Sequence, residues 1–381
     1  MPALTFFILI IFTIVFISLP IFNKLDESLT SEKKKVKTLD GLRGLLAFSV
    51  VVNHFDANFH LIKTKFWATE YVFNGLLGSI GVALFFMLTA FLFWGKLLES
   101  NGTMNWKILY VNRIFRIAPV YYTVFLIALI IIAFESHFKI LGPPSELKNS
   151  LLKWLAIGYF ECCLDINQFP TMKILGVAWT LRFEWLFYFS LPLTSFFIRK
   201  KTALLFCITG LVSGLLFIQI TPPIHAALPL FFSGMLCVTL IKKQFYNYNN
   251  QVINSSIALV CLFSVFIFFN DAIGILQIML LSIFFFLVAN GATLFGLLSL
   301  KGILRLGNIS YSLYLLHLVI IYLFFKISVL YELVKQNELT FWLLMVPCTA
   351  LIIGVSSICY SKIENGGVSF GKKFIYRYLK N

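Results

Sequence analysis

Long apolar runs broken by short polar loops repeat along the chain. Stretches of roughly eighteen or more predominantly apolar residues fall at about 3–22, 42–60, 77–95, 115–134, 177–198, 202–220, 224–241, 252–270, 272–295, 309–329 and 340–361. A run of this length matches the hydrocarbon thickness of a bilayer. Within lipid, a helix satisfies every backbone N–H and C=O inside its own segment. The pattern predicts an all-α, polytopic transmembrane helical bundle of about eleven spans. Only Asn270 and Asp271 separate the eighth run from the ninth. The first run carries no charge before Lys24 and is as long as a full span, so it is expected to be a retained anchor rather than a cleaved leader. In the longest polar stretch, about 135–176, the short apolar piece Leu151–Phe160 is expected to be a re-entrant or interfacial helix. Gly142-Pro143 and Thr221-Pro222-Pro223 read as loop punctuation. There is no internal repeat. The expected organisation is an anchor span and basic loop over 1–37, a membrane domain over 38–364 and a basic tail over 365–381.

Composition supports a chain whose solvent is mostly lipid: 60% hydrophobic residues, 12% charged and a mean hydropathy of +0.90. The net charge of +15 matters through its placement. Basic proteins commonly bind nucleic acid, but here the cations lie in short loops between apolar runs. Loops 23–43, 95–116, 199–201, 242–251, 296–306 and 362–381 hold 22 of the 31 Lys and Arg; the opposite side holds 9. By the positive-inside rule the rich side is cytoplasmic, which puts the C-terminus inside and the N-terminus outside, with no nucleic-acid partner expected. The seven cysteines form no C-x-x-C and pair with no histidine at metal spacing, so no metal site is expected. Cys162 and Cys163 are adjacent; the others read as small buried hydrophobes.

Ionisable residues inside spans are expensive in lipid and therefore carry functional hypotheses. Asp40-Gly41-Leu42-Arg43-Gly44 is followed by Asn53 and His54. The eleven-residue spacing puts Arg43 and His54 on one helix face, about 16 Å apart along the axis. Arg113 and Arg116 share a face at the cytoplasmic end of a span, and paired guanidinium groups suit phosphate. Trp179-Thr180-Leu181-Arg182-Phe183-Glu184 leads to Tyr188 in a span entered from outside, which puts Glu184 in the outer half at the depth of His54. Ser310, Tyr314 and His317 form a polar stripe on an apolar helix. Each has a bland alternative: a topology anchor, a snorkelling cation or a satisfied interhelical hydrogen bond.

These stretches, in this order, resemble the acyltransferase family 3 membrane proteins, which O-acylate bacterial surface polysaccharides. The resemblance runs from about Thr38 to Glu364. Its marks are the Leu39–Arg43 run with ten residues between Arg43 and His54, then Gly81-Val82-Ala83-Leu84-Phe85-Phe86, the R-x-x-R of Arg113 and Arg116, the Trp179–Tyr188 stretch, and the G-x-x-S-Y-S-L-Y-L-x-H run ending at His317. Ala83 stands where the family commonly has an acidic residue, and Thr89-Ala90 where it has Ser-Gly, which leaves the third span a packing role. The family core has ten spans, which makes the 3–22 segment an expected N-terminal addition. Some members carry a soluble domain after the last span; this chain ends about 20 residues past it, so it is expected to act alone or with a separate protein.

The resemblance implies a multi-pass protein of the bacterial inner membrane. It implies acyl-CoA, acetyl-CoA above all, as co-substrate with no permanently bound cofactor, and a surface-glycan acceptor such as O-antigen, capsule or exopolysaccharide, lipid-linked or not. Arg43, Arg113 and Arg116 would bind the donor. His54 would act as general base or be briefly acylated, with Glu184 orienting it. Asp40, Asn53, Tyr188, Ser310, Tyr314 and His317 are supporting candidates. A transporter or flippase for a lipid-linked sugar is the rival from another class, since intramembrane charge and many spans suit it too.

Overall fold

The computed structural model describes residues 2–26, 37–160, 164–218, 227–246 and 250–379. Cys162, Cys163 and the Thr221-Pro222-Pro223 turn lie outside the described residues. Among the described residues the regular structure is helical. The order is α1 (Pro2–Ser18), a 3-10 turn (Pro20–Asp26), α2 (Lys37–Thr64), α3 (Val72–Glu99), α4 (Trp106–Glu135), α5 (Pro144–Leu155), α6 (Met172–Leu175) and α7 (Trp179–Arg199). It continues with α8 (Ala203–Ile218), α9 (Ala227–Lys242), α10 (Gln251–Phe268), α11 (Ile275–Ala289), α12 (Lys301–Phe325), α13 (Ser328–Gln336), α14 (Glu338–Cys359), a π-turn (Tyr360–Glu364) and α15 (Asn365–Tyr378).

Each expected apolar run overlaps one of these helices, but they are not equal as spans. Among the described residues six helices are long and apolar enough to cross a membrane: α2, α3, α4, α10, α12, and α14 with its extension to Tyr378. A seventh counts if α1 and the turn after it, bent by 81°, form one broken span. Pro20, which has no N–H to continue the ladder, stands at that break. α8, α9 and α11 have 15 or 16 residues. At 1.5 Å per residue their described residues rise about 24 Å or less, against a hydrocarbon core of about 30 Å; 219–226, between α8 and α9, lie outside the described residues. α7, with Arg182 and Glu184 in its first half, is also outside the six. In the long polar stretch the helix forms over Pro144–Leu155, upstream of the expected Leu151–Phe160. A proline at its first position and Glu146 in its first turn favour that start, and the positive φ angles of Ile157 and Gly158 follow its end.

The chain divides into two compact units, one of residues 1–104 and 189–310, the other of 105–188 and 311–381. In the first unit α2 and α3 pack side by side, and α3 packs on α9. Trp94 is fully buried and donates from Nε1 to Thr239 Oγ1 at 3.0 Å. Ala83, Thr89 and Ala90 are buried in the same layer, as their packing role requires. The start of α2 is held by Thr38 Oγ1 donating to Val288 O at 2.8 Å. One turn on, α2 crosses α12 so closely that a Cβ on Gly44 would lie 2.6 Å from the Gly307 nitrogen and 2.7 Å from Ile303 O. Small residues let helix backbones approach in this way. Gly44→Val is therefore expected to lower stability by at least about 1–3 kcal/mol through forced backbone separation, read as a fall in the thermal midpoint of the purified protein; an unchanged midpoint would contradict this crossing.

A buried cation ties the first helix into that unit. Arg305 of α12 is fully buried and forks onto Asp26, Nε to Oδ1 and Nη2 to Oδ2, both at 2.7 Å. It also donates to Ile17 O, Leu19 O and Asn23 Oδ1. The carbonyls left open where α1 breaks thus find their donor on α12. Sequence reading had taken Arg305 as a loop charge.

In the second unit α4 is the central rod. Tyr121 and Tyr122 donate to Trp154 O and Leu155 O, which seats α5 against it. α15 packs on its other end through Gly367, Gly371 and the rings of Phe370 and Phe374, which lie 5.3 and 5.7 Å from the ring of Phe115. Pro119 cannot donate back to Phe115 O, and a Cβ on Gly367 would lie 2.7 Å from that carbonyl.

Candidate functional site

The predicted residues fall in both units. In the first, Arg43 and His54 both lie on α2, so their shared face is realised in a continuous helix. Arg43 pairs with Asp40 one turn before it. His54 is half-buried, and its Nδ1 lies 2.9 Å from Val50 O. A carbonyl only accepts, so Nδ1 carries the proton of the neutral ring, and Nε2 carries the lone pair that a base or nucleophile needs. The Trp67 ring lies 6.0 Å from the imidazole. Asn53 turns to the neighbouring helix, donating from Nδ2 to Asn74 O at 3.0 Å. Ser310 is buried in α12.

The second unit gathers a network of charge. Tyr188 Oη donates to Glu184 Oε2 at 3.0 Å, one turn along α7. Arg113 reaches Tyr188 and lies in the field of Glu184 and Arg116. Tyr110 Oη donates to Tyr188 O at 3.3 Å and fixes α4 to α7 at this level. From the loop charges, Arg113 and Arg116 were expected at the cytoplasmic rim and Glu184 in the outer half. The structure places them together. α4 begins at Trp106, so the arginines stand two to three turns inside it, while Glu184 is five residues beyond the start of α7.

Three residues that sequence reasoning passed over complete this network. Tyr311 Oη donates to Ile117 O at 2.8 Å, and the ring sits in the field of Glu364, Glu184 and Arg116. Ser312 Oγ donates to Glu364 Oε2 at 2.7 Å, and both residues are buried. Glu364 ends the π-turn between α14 and α15. A signal existed: it is the sole acidic residue after Glu338. Ser312 and Tyr311 lie between members of the predicted stripe, on a different face of α12.

The stripe itself has a local explanation. Tyr314 and Thr180 meet at 3.2 Å, and both hydroxyls reach Val177 O in the 3-10 turn (Gly176–Ala178) that leads into α7. Tyr314 thereby pins the entrance of the helix that bears Glu184. His317 is fully buried with Nδ1 3.1 Å from Leu313 O, the same back-bonded arrangement as His54. Two guanidinium groups, two carboxylates and three hydroxyls in an apolar bundle are equipped to hold a polyanion and to place protons.

Comparison with known proteins gives one family, the acyltransferase domain, matched over residues 36–361. No curated protein and no solved structure matches the chain. The matched range takes in Asp40, Arg43, His54, the R-x-x-R pair, Glu184 and the whole of α12. The chain therefore belongs to acyltransferase family 3 and is a membrane acyltransferase.

Proposed function

We propose that the protein moves an acyl group, acetyl being the favoured case, from cytoplasmic acyl-CoA to a hydroxyl of a surface glycan at the outer face of a bacterial inner membrane. The observation that carries the reading is the back-bonded imidazole of His54. With Nδ1 committed to Val50 O, Nε2 is the atom that takes the proton of an acceptor hydroxyl. The acceptor oxygen attacks the thioester carbonyl carbon, the C–S bond breaks, and the CoA thiolate leaves with the proton from His54. The products are an ester and free CoA thiol.

Arg113 and Arg116 supply two planar, permanently charged donors suited to the phosphates of the donor. Glu184 and Tyr188 flank those guanidinium groups, so their part is to aim them and balance their charge when no donor is bound. Arg43, aimed by Asp40, is a candidate donor-binding cation on the α2 face that His54 shares.

The test is a proteoliposome assay with labelled acetyl-CoA, following free thiol and label on an added glycan. Loss of a charge-assisted contact is worth about 1.5–3 kcal/mol. Arg113→Gln and Arg116→Gln are thus expected to raise the KM for acyl-CoA by about ten- to a hundredfold each. An unchanged KM in both variants removes the arginines from donor binding. Absence of thiol release by the unaltered protein, with any acyl-CoA, sinks the reading as a whole.

A further inference from the structure

We infer that α15 is a surface-lying helix that binds the headgroups of anionic phospholipids, and that this lipid contact holds the helix on the arginine-bearing turn of α4. α15 has two faces with different work. Gly371 and Ile375 are buried, and Gly367, Gly371, Phe370 and Phe374 meet Phe115 and Pro119. The glycines stand four residues apart, the spacing that lets two helices approach closely. Phe115 lies between Arg113 and Arg116, so the helix rests on the turn that carries both.

The opposite arc is exposed and of one sign. Lys372, Lys373 and Arg377 lie on it, and Lys362 leads into it from the π-turn; all four are exposed. Among the described residues none of the four has a carboxylate partner, and no acidic residue follows Glu364 in the sequence. Tyr376, 73% exposed, stands among these cations. An exposed cationic arc with an aromatic ring on it suits a lipid surface: ammonium and guanidinium groups reach phosphate while the ring enters the acyl boundary. α15 continues from α14 without a break in the helix, and the two together, Glu338–Tyr378, are long and apolar enough to span. A topology signal needs only the count of these cations. Their gathering on one arc of a docked helix, with Tyr376 between them, is what a lipid surface requires.

The occupant is therefore an anionic leaflet and not a soluble polyanion, which has no use for the exposed ring of Tyr376. Each basic residue near an anionic surface is worth about 1 kcal/mol, a factor of roughly five. Removing three is expected to lower the preference for anionic over zwitterionic lipid on the order of a hundredfold.

The experiment uses the full chain in nanodiscs of phosphatidylcholine, with or without phosphatidylglycerol, and reads lipid enrichment around the protein by mass spectrometry together with amide exchange. The comparison is with the triple variant Lys372→Gln, Lys373→Gln, Arg377→Gln. All three side chains are exposed, so amide protection of α14 serves as the control for an intact fold. Expected are enrichment of phosphatidylglycerol by the unaltered protein, slower exchange over 365–378 in the anionic disc, and loss of both in the variant. Equal enrichment by the two proteins, or exchange over 365–378 that ignores lipid charge, overturns the proposal. So does displacement of the lipid effect by a short soluble polyphosphate at constant ionic strength. None of these readouts involves acyl transfer, so the lipid site and the proposed chemistry stand or fall separately.

Discussion

Acyl transfer is expected to fall by about a hundred- to ten-thousandfold when His54 is replaced by alanine, with the protein still folded at its normal level in the membrane. The size of the effect follows from the role. A positioned base removes the proton that otherwise makes the hydroxyl a poor nucleophile, and the neighbours of His54 on α2 are less suited to it: Asn53 and Asn58 are neutral amides, and Asp56 is fully buried and accepts from the Tyr71 N–H on the α3 side. Two further variants separate the base from the scaffold. His54→Asn retains a side-chain N–H at the position of Nδ1, able to keep the bond to Val50 O, but has no equivalent of Nε2. It is expected to be as inactive as the alanine variant while matching the unaltered protein in thermal stability. His54→Gln reverses the arrangement, reaching the Nε2 position with an amide that cannot take a proton, and is expected to be inactive too. Near-normal turnover by the asparagine variant would show that Nε2 is not the reacting atom.

The largest expected loss of stability comes from Arg305→Met. Methionine fills much of the same volume, so the loss isolates the five donor contacts to Asp26, Asn23, Ile17 O and Leu19 O. Two charge-assisted bonds to Asp26, discounted because that carboxylate is 30% exposed, together with three further contacts put the expected cost at about 3–5 kcal/mol. Asp26 retains Lys301 at 3.1 Å, but Lys301 is exposed and makes a weaker partner. The carbonyls at the break after α1 lose their donor in a place where lipid offers none. Expected are a lower thermal midpoint and fast amide exchange confined first to residues 2–26. Adding Asp26→Leu to Arg305→Met should restore part of the midpoint, since the stranded carboxylate goes with it. A single variant as stable as the unaltered protein would mean that the fork contributes only geometry.

The spans were legible because lipid tolerates few alternatives to a continuous apolar helix, and the runs at 42–60, 77–95 and 115–134 needed nothing more than a count. The family was legible because Arg43, His54, Arg113, Arg116 and His317 sit at recognisable intervals. Loop charges, however, fix which side a loop faces and say little about how deep a helix begins. α4 starts at Trp106 rather than near residue 115, so Arg113 and Arg116 stand two to three turns inside it, with Glu184 in the field of both. The apolar run at Leu151–Phe160 drew attention from the stronger start signal at Pro143-Pro144. Glu364 meets Ser312 across 52 positions of sequence and Arg305 meets Asp26 across 279, and no local periodicity encodes such pairings. Both had been counted only as a boundary and a loop charge. What distinguishes Glu364 is that no other acidic residue follows Glu338.

The π-turn of Tyr360–Glu364 has a consequence for how this chain tolerates change. A π-turn holds one residue more than the α-turn it replaces, which offsets the phase of everything after it by about 100°. That offset lets Glu364 look inward at Ser312 while Gly367 and Gly371 look at Phe115. The tail is thus keyed to the bundle by arithmetic as much as by side chains. Substitutions on its outer arc are cheap, but a single inserted or deleted residue between Cys359 and Gly367 would aim the glycines at solvent and the lysines at Phe115. Length, more than identity, is what selection has to preserve in this joint.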